Sequence, residues 1–210
     1  MPNILAISRD IKLIDPNNGY PNNLLGLDQS SLTDLGRKYI NETKWARSSK
    51  PFFIDKMPNN FVHIGLIKLI LPKAKIIDAR RNPMDACFSC FKQYFAKGQH
   101  FTYDLDDIAR YYKDYIRLMD YWKKLFPNEI FTINYEDIIN NPNERIKDLL
   151  EFCNVEFEEN CLNFHQSKRP VKTASSEQVR QPMYKTGLDY WKNYANHLET
   201  LIKHFPDGYK

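Results

Sequence analysis

Apolar residues recur along the chain in two rhythms, and the alternation between them outlines the fold. A short apolar patch (Ile4, Leu5, Ile7, Ile11, Ile14) leads into a loop rich in Asn and Pro. Ser30 and Ser31 offer caps to a helix over residues 30–47, with Leu32, Leu35, Tyr39 and Trp45 on its buried side. Pro51-Phe52-Phe53-Ile54-Asp55 is a continuous apolar run of strand length and predicts a buried strand. Pro58 opens a helix carrying Phe61, Ile64, Ile67 or Lys68, and Leu71, which Pro72 stops. Lys75-Ile76-Ile77-Asp78-Ala79-Arg80 predicts a second buried strand. Asn82-Pro83-Met84-Asp85 then starts a helix, with Asn82 as cap, Pro83 at the first position and Asp85 at the positive end of the dipole.

Strand, helix, strand, helix at this spacing predicts parallel strands joined by crossovers. A long amphipathic helix is expected over 104–126, and Glu129-Ile130-Phe131-Thr132-Ile133 forms a third strand. Asn141-Pro142 begins a helix that runs to 153, and a shorter one covers 157–165. Residues 166–186 are polar and basic, and 188–205 read as helix. There is no internal repeat, low-complexity tract or linker, so residues 1–210 are read as a single α/β domain.

Composition narrows the chemistry. A hydrophobic share of 42% in 210 residues supplies a sizeable core, which argues against wholesale disorder. The net charge of +4 suits an anionic ligand and is too weak for a protein that coats nucleic acid. No apolar run approaches the roughly eighteen residues of a spanning helix. The first residues have no basic or apolar leader pattern and read like the middle of a helix. Four cysteines make no disulfide framework, and a reducing, cytoplasmic setting is expected. The seven glycines are scattered, so neither GxGxxG nor GxxxxGK exists and phosphate must be held by other means.

Four stretches offer such means, each with a plainer alternative. Asp55-Lys56-Met57-Pro58 follows the first predicted strand. Ligands of open parallel sheets bind beyond strand C-termini, so Lys56 can neutralise a phosphate or sulfuryl oxygen, or simply pair with Asp55. Arg80 and Arg81 meet a helix N-terminus after the next strand, an arrangement suited to an anion, with Ser89 further along as a hydroxyl donor. The alternative is capping chemistry, with one Arg paired to Asp85. Tyr135, after the third strand, can stack on a purine or fill the rim of the core. The loop with Lys168, Arg169, Lys172, Ser175, Ser176, Gln178, Arg180 and Lys185 can close on an anion or remain a solvated charge run. Cys87 and Cys90 form a lone CxxC on a helix and read as packing residues. The five histidines show no ligand spacing, and no metal is expected. GxSxG is absent. Basic residues among Tyr111, Tyr112, Tyr115, Tyr121 and Trp122 follow helical spacing, which favours core over nucleic-acid stacking.

Taken in order, "DKMPNN", "AKIIDARRNPMDACFS", "INYEDIINNP" and "ASSEQVRQPMY…YW" resemble the sulfotransferase family, nearest its tyrosylprotein-sulfotransferase-like bacterial branch. The resemblance covers most of the chain, and the arginine-to-serine spacing and the late S-x-x-Q-V block are its specific parts. It implies a three-layer, parallel-sheet, P-loop-NTPase-like fold, with 3'-phosphoadenylyl sulfate (PAPS) as co-substrate and an acceptor hydroxyl on a small molecule, glycan or protein tyrosine. By the same resemblance Arg81 and Ser89 match residues that hold the 3'-phosphate, and Tyr135 the one that contacts adenine. Ser175 matches a serine near the transferring group, with Ser176, Gln178 and Arg180 in the same donor-binding segment. Lys56 matches the lysine that stabilises charge on the bridging oxygen, where a fixed cation helps an in-line transfer most.

The chain departs from the family at its start. The first strand and its Ser-Gly-Thr-Thr phosphosulfate loop are missing, and Asn3 or nothing stands where a catalytic glutamate is expected. Tyr190 replaces a Lys or Arg, and Gln93 replaces a basic residue one turn past Ser89. The expectation is an N-terminally truncated or degenerate sulfotransferase of impaired activity. An exposed sheet edge should then be covered by a homodimer partner or another protein. The alternative is a non-catalytic module that binds 3'-phosphoadenosine or serves assembly.

Overall fold

The computed structural model describes residues 19–95, 98–167, 180–183, 185 and 187–206, together with Ile4 and Ile7. The sequence reading treats the chain as one domain; its packing divides it into two compact units, Met1–Ala74 and Lys75–Lys210.

The first unit is built on two helices, α1 (Gln29–Glu42) and α2 (Ile64–Ile70). The cap of α1 is Asp28 rather than Ser30 or Ser31: its carboxylate accepts from the Ser31 amide at 2.8 Å. The helix ends at Glu42, short of the expected 47, and Trp45 beyond it is exposed instead of buried. Leu32, Leu35 and Tyr39 recur at helical spacing and face Leu66 and Ile70 of α2, with Ile4 and Ile7 completing the core. Gly36 is needed at this crossing, because a Cβ there would run into the Ile70 carbonyl. A 3-10 turn, Pro58–His63, leads into α2, and the Tyr20 hydroxyl meets His63 Nδ1 at 2.9 Å.

The expected strand over 51–55 does not form. Among the described residues the stretch joins no sheet, and Phe52 and Ile54 are 63% and 87% exposed. A strand needs a neighbour to take its backbone hydrogen bonds, and among the described residues this one has none. What orders it is side-chain contact. Phe53 packs on Tyr39 and under Arg47, whose guanidinium lies 5.0 Å from the ring centre. Asp55 accepts from the Tyr39 hydroxyl at 2.5 Å and the Asn60 amide at 3.3 Å.

The second unit holds a two-stranded parallel sheet, β1 (Ile76–Arg80) beside β2 (Ile130–Asn134), in the register Ile76↔Ile130 to Arg80↔Asn134. This is a mixed α/β arrangement with a small parallel sheet. β1 is not buried on both sides as its composition suggested, since Ile77 is 42% exposed and only Asp78 is deeply buried. Parallel strands need a long crossover, supplied here by α3 (Pro83–Phe91) and α4 (Leu105–Leu125). α3 starts as expected: the Asn82 side chain accepts from the Met84 amide at 2.9 Å, and Pro83 occupies the first turn. α4 is capped by Asp104, which accepts from the Asp106 and Asp107 amides at 2.8 and 3.0 Å. After β2 come α5 (Tyr135–Asn140) and α6 (Pro142–Phe152), then two 3-10 turns in place of the helix expected over 157–165.

The helix expected over 188–205 is broken. It consists of a 3-10 segment, Tyr190–His197, kinked at Tyr194, followed by α7 (Glu199–His204). Met84, Cys87 and Phe88 of α3 pack with Ile108 and Ala109 of α4 and with Leu198, Leu201 and Phe205 to form the core. Among the described residues no helix is long and apolar enough to cross a membrane, and no His, Cys, Asp and Glu cluster could hold a metal.

Candidate functional site

The parallel register brings the two strand exits together. Arg80 lies opposite Asn134, so the next residues, Arg81 and Tyr135, are neighbours, and so are Asn82 and Glu136. The side chains follow that pairing. The Arg81 guanidinium sits 5.3 Å above the Tyr135 ring, a cation–π contact. The Asn82 amide donates to Glu136 Oε1 at 2.8 Å, which ties the start of α3 to α5. The Tyr112 hydroxyl of α4 donates to the Arg81 carbonyl at 2.7 Å, and burial pushes its pKa well up, so it stays a donor.

The two arginines have opposite fates. Arg80 is absorbed by the sheet: its Nε donates to Asp78 at 2.7 Å, with the Asp78 side chain buried and that of Arg80 half-buried. Burial alone would lower the Arg80 pKa, but the Asp78 carboxylate outweighs it and holds the group charged. Asp78 also accepts from the Tyr115 hydroxyl and from Thr132 Oγ1 at 3.2 Å, and pairs with Lys123 at 3.5 Å. Burial and this bond to Asp78 push the Tyr115 hydroxyl pKa up.

Arg81 has no carboxylate partner among the described residues. Its Nη2 donates to the Gly187 carbonyl, while its Nε is buried without a hydrogen bond. A buried, unsatisfied N–H on a charged fork is costly, and a phosphate oxygen would satisfy it in the planar geometry a guanidinium prefers.

The segment after Gly187 is fastened to the same turn. Asp85, in the first turn of α3, accepts from the Asp189 amide at 2.8 Å and from the Trp191 amide at 3.3 Å. It thus takes up backbone donors at the start of the 3-10 segment, whose ordinary helical cap is missing. Asp189 adopts the left-handed conformation, φ 56°, in making that approach. The alternative pairing of an arginine with Asp85 is therefore not realised; Asp85 is occupied by backbone.

The remaining predicted residues divide as follows. Ser89 is exposed on α3, in the second turn after Asn82. Burial pushes the thiol pKa of its neighbour Cys90 up, and the Arg81 charge offsets part of that rise. Cys87 is buried, and desolvation pushes its thiol up to about 12, so the CxxC pair packs instead of reacting. Arg180 is exposed, and its Nη1 donates to the Ser167 carbonyl. Ser175, Ser176 and Gln178 lie outside the described residues. Lys56 belongs to the first unit. It is exposed there, and the neighbouring Asp55 is engaged by Tyr39 and Asn60. Sequence reasoning missed Gly187, whose contribution is a backbone carbonyl, and Asp78, although a lone acid inside an apolar strand is a signal for a buried charge network.

Two comparisons with known proteins bear on this arrangement. The model of the sulfotransferase family matches residues 17–159, a span that includes Lys56, Arg81, Ser89 and Tyr135. The chain is also 35% identical over 195 residues to an uncharacterized protein of Aquifex aeolicus (strain VF5). That match takes in 91% of this chain and 26% of the relative, so the chain spans about a quarter of the relative's length.

Proposed function

Because the chain belongs to the sulfotransferase family, we propose that its second unit binds the nucleotide of 3'-phosphoadenylyl sulfate and serves sulfuryl transfer to an acceptor hydroxyl. The observation that carries this reading is the unsatisfied, buried Nε of Arg81 at paired strand exits, beside the Tyr135 ring. The donor set suits the ligand. Arg81 offers a planar fork to a phosphate, Ser89 adds an exposed hydroxyl, and Tyr135 supplies an aromatic surface for a base.

PAPS supplies the activated sulfuryl group. The chain's own contribution is to bind and orient. The Tyr112 hydroxyl holds the Arg81 carbonyl, the Gly187 carbonyl holds one arm of the guanidinium, and Glu136 fixes the turn that carries both. Preset geometry of this kind spares the ligand the cost of ordering a flexible arginine. The serines of the late loop and Lys56 belong to the proposal through the resemblance of their motifs.

The test is thermal unfolding with adenosine 3',5'-bisphosphate, using AMP as control. At about a hundredfold over Kd a native-state ligand adds roughly 2.7 kcal/mol, which raises the melting temperature by several degrees at this size. The expected result is a rise with the bisphosphate, none with AMP, and loss of the rise in Arg81→Ala. An equal rise with both nucleotides, or one that survives Arg81→Ala, would contradict the proposal.

A further inference from the structure

We infer that Arg47, in the first unit, is a second oxyanion site, and that it takes a carboxylate, or a sulfate or phosphate ester, carried by the acceptor. The inference rests on the proposed sulfuryl transfer and narrows its acceptor to hydroxyl compounds that bear a negative charge.

Three arginines among the described residues leave a buried N–H without a hydrogen bond: Arg47 and Arg81 at Nε, and Arg80 at Nη2. Asp78 neutralises Arg80, and Arg81 belongs to the nucleotide reading above. Arg47 is the one left over. It is half-buried and has no carboxylate partner among the described residues.

Its surroundings repeat those of Arg81. Nη2 donates to a backbone carbonyl, that of Ile40, and the guanidinium lies 5.0 Å from the centre of the Phe53 ring. The Arg81 guanidinium lies 5.3 Å from the centre of Tyr135. In both, a ring face and one carbonyl hold the fork while its charge goes unmet, and an oxyanion would satisfy the remaining Nε–H.

The plainer account makes Arg47 a cap for the C-terminal end of α1, where carbonyls lack helical partners. That end is already capped. The Thr43 hydroxyl donates to the Tyr39 carbonyl at 2.8 Å and to that of Ile40 at 3.3 Å. Capping also makes no use of Nε, and it leaves a charged donor desolvated at a cost.

The place of Arg47 in the unit points to the acceptor. Phe53 lies three residues before Lys56, at most about 11 Å along the backbone. Lys56 is the residue that the family resemblance sets at the bridging oxygen. The Tyr39 ring stands 6.4 Å from that of Phe53, and its hydroxyl donates to Asp55 Oδ2 at 2.5 Å. The Asn60 amide donates to Oδ1 at 3.3 Å, so the nearest carboxylate in the chain is engaged on both oxygens. An acceptor whose hydroxyl meets Lys56 therefore has Arg47 within reach of a charged group elsewhere on it.

Nitrogen-15 spectra of the full chain, with the Arg47 Nε–H assigned through Arg47→Lys, test this with three probes at constant ionic strength. They are 4-hydroxyphenylacetate, uncharged 4-ethylphenol and sodium sulfate. The expected result is a downfield shift of the Arg47 Nε–H with 4-hydroxyphenylacetate, reached at a lower concentration than with sulfate, and none with 4-ethylphenol. Calorimetry should find 4-hydroxyphenylacetate bound about tenfold more weakly by Arg47→Met, as for one charged hydrogen bond, and bound normally by Arg81→Ala. No shift with either anion overturns the site and leaves Arg47 as a cap, and an equal loss of affinity in Arg81→Ala also overturns it. A response to sulfate that 4-hydroxyphenylacetate does not improve on overturns the assignment to the acceptor. Each of these failures leaves the proposed function standing while the bisphosphate still raises the melting temperature of the wild-type chain; loss of that rise overturns the reading on which the inference rests.

Discussion

Two stretches of the chain place a cation just after an apolar run: Phe52 to Lys56 in the first unit and Ile76 to Arg81 in the second. Only the second becomes a strand. β1 has β2 beside it and exchanges hydrogen bonds along five register pairs, from Ile76↔Ile130 to Arg80↔Asn134. Residues 51–56 join no sheet among the described residues, and they lean on Tyr39 and Arg47 through one ring. The contrast teaches that apolar content sets what a segment can become and pairing decides what it does become. It also separates the cations. Register places Arg81 against Tyr135 and the cap of α3, whereas Lys56 is exposed in a segment that joins no sheet among the described residues.

The comparison can be broken most forcefully at Asp78. If β1 is held by the buried network of Asp78, Arg80, Tyr115 and Thr132, then Asp78→Ala strands a buried guanidinium and should cost about 3–5 kcal/mol. Urea unfolding measures this, and a loss below about 1 kcal/mol would mean that the pair behaves like a surface ion pair. The smallest effect is expected in the other stretch. Ile54 is 87% exposed, so Ile54→Ala should change stability by no more than about 0.5 kcal/mol. A loss of about 2 kcal/mol or more, as for a core isoleucine, would show that residues 51–55 form a buried strand after all.

What could be read in the sequence was local. The Asn82 cap, Pro83 in the first turn, the Asp104 start of α4 and both strands of the sheet rest on neighbours in the chain, and they appear within a residue or two of their expected places. The juxtaposition of Arg81 and Tyr135 could be anticipated because strand exits in parallel sheets face one way. What could not be read depends on distant partners. Residues 51–55 look like a strand until one asks what pairs with them. The stretch from Leu188 to Phe205 looks like one helix, but Asp85, 104 residues away from Asp189, takes up the backbone donors that would begin it. Gly187 acts through its carbonyl, which no side chain announces.

The central claim is that the Nε–H of Arg81, and not that of its neighbour Arg80, is left waiting for a phosphate. Nitrogen-15 spectra of the arginine side chains test it most directly, with the Nε–H signals of both residues assigned through Arg80→Lys and Arg81→Lys. On titration with adenosine 3',5'-bisphosphate the account predicts a downfield shift and slower solvent exchange for the Arg81 Nε–H, while that of Arg80, already bonded to Asp78, stays in place. Movement of the Arg80 signal with Arg81 unchanged, or no movement of either at saturating ligand, would contradict it.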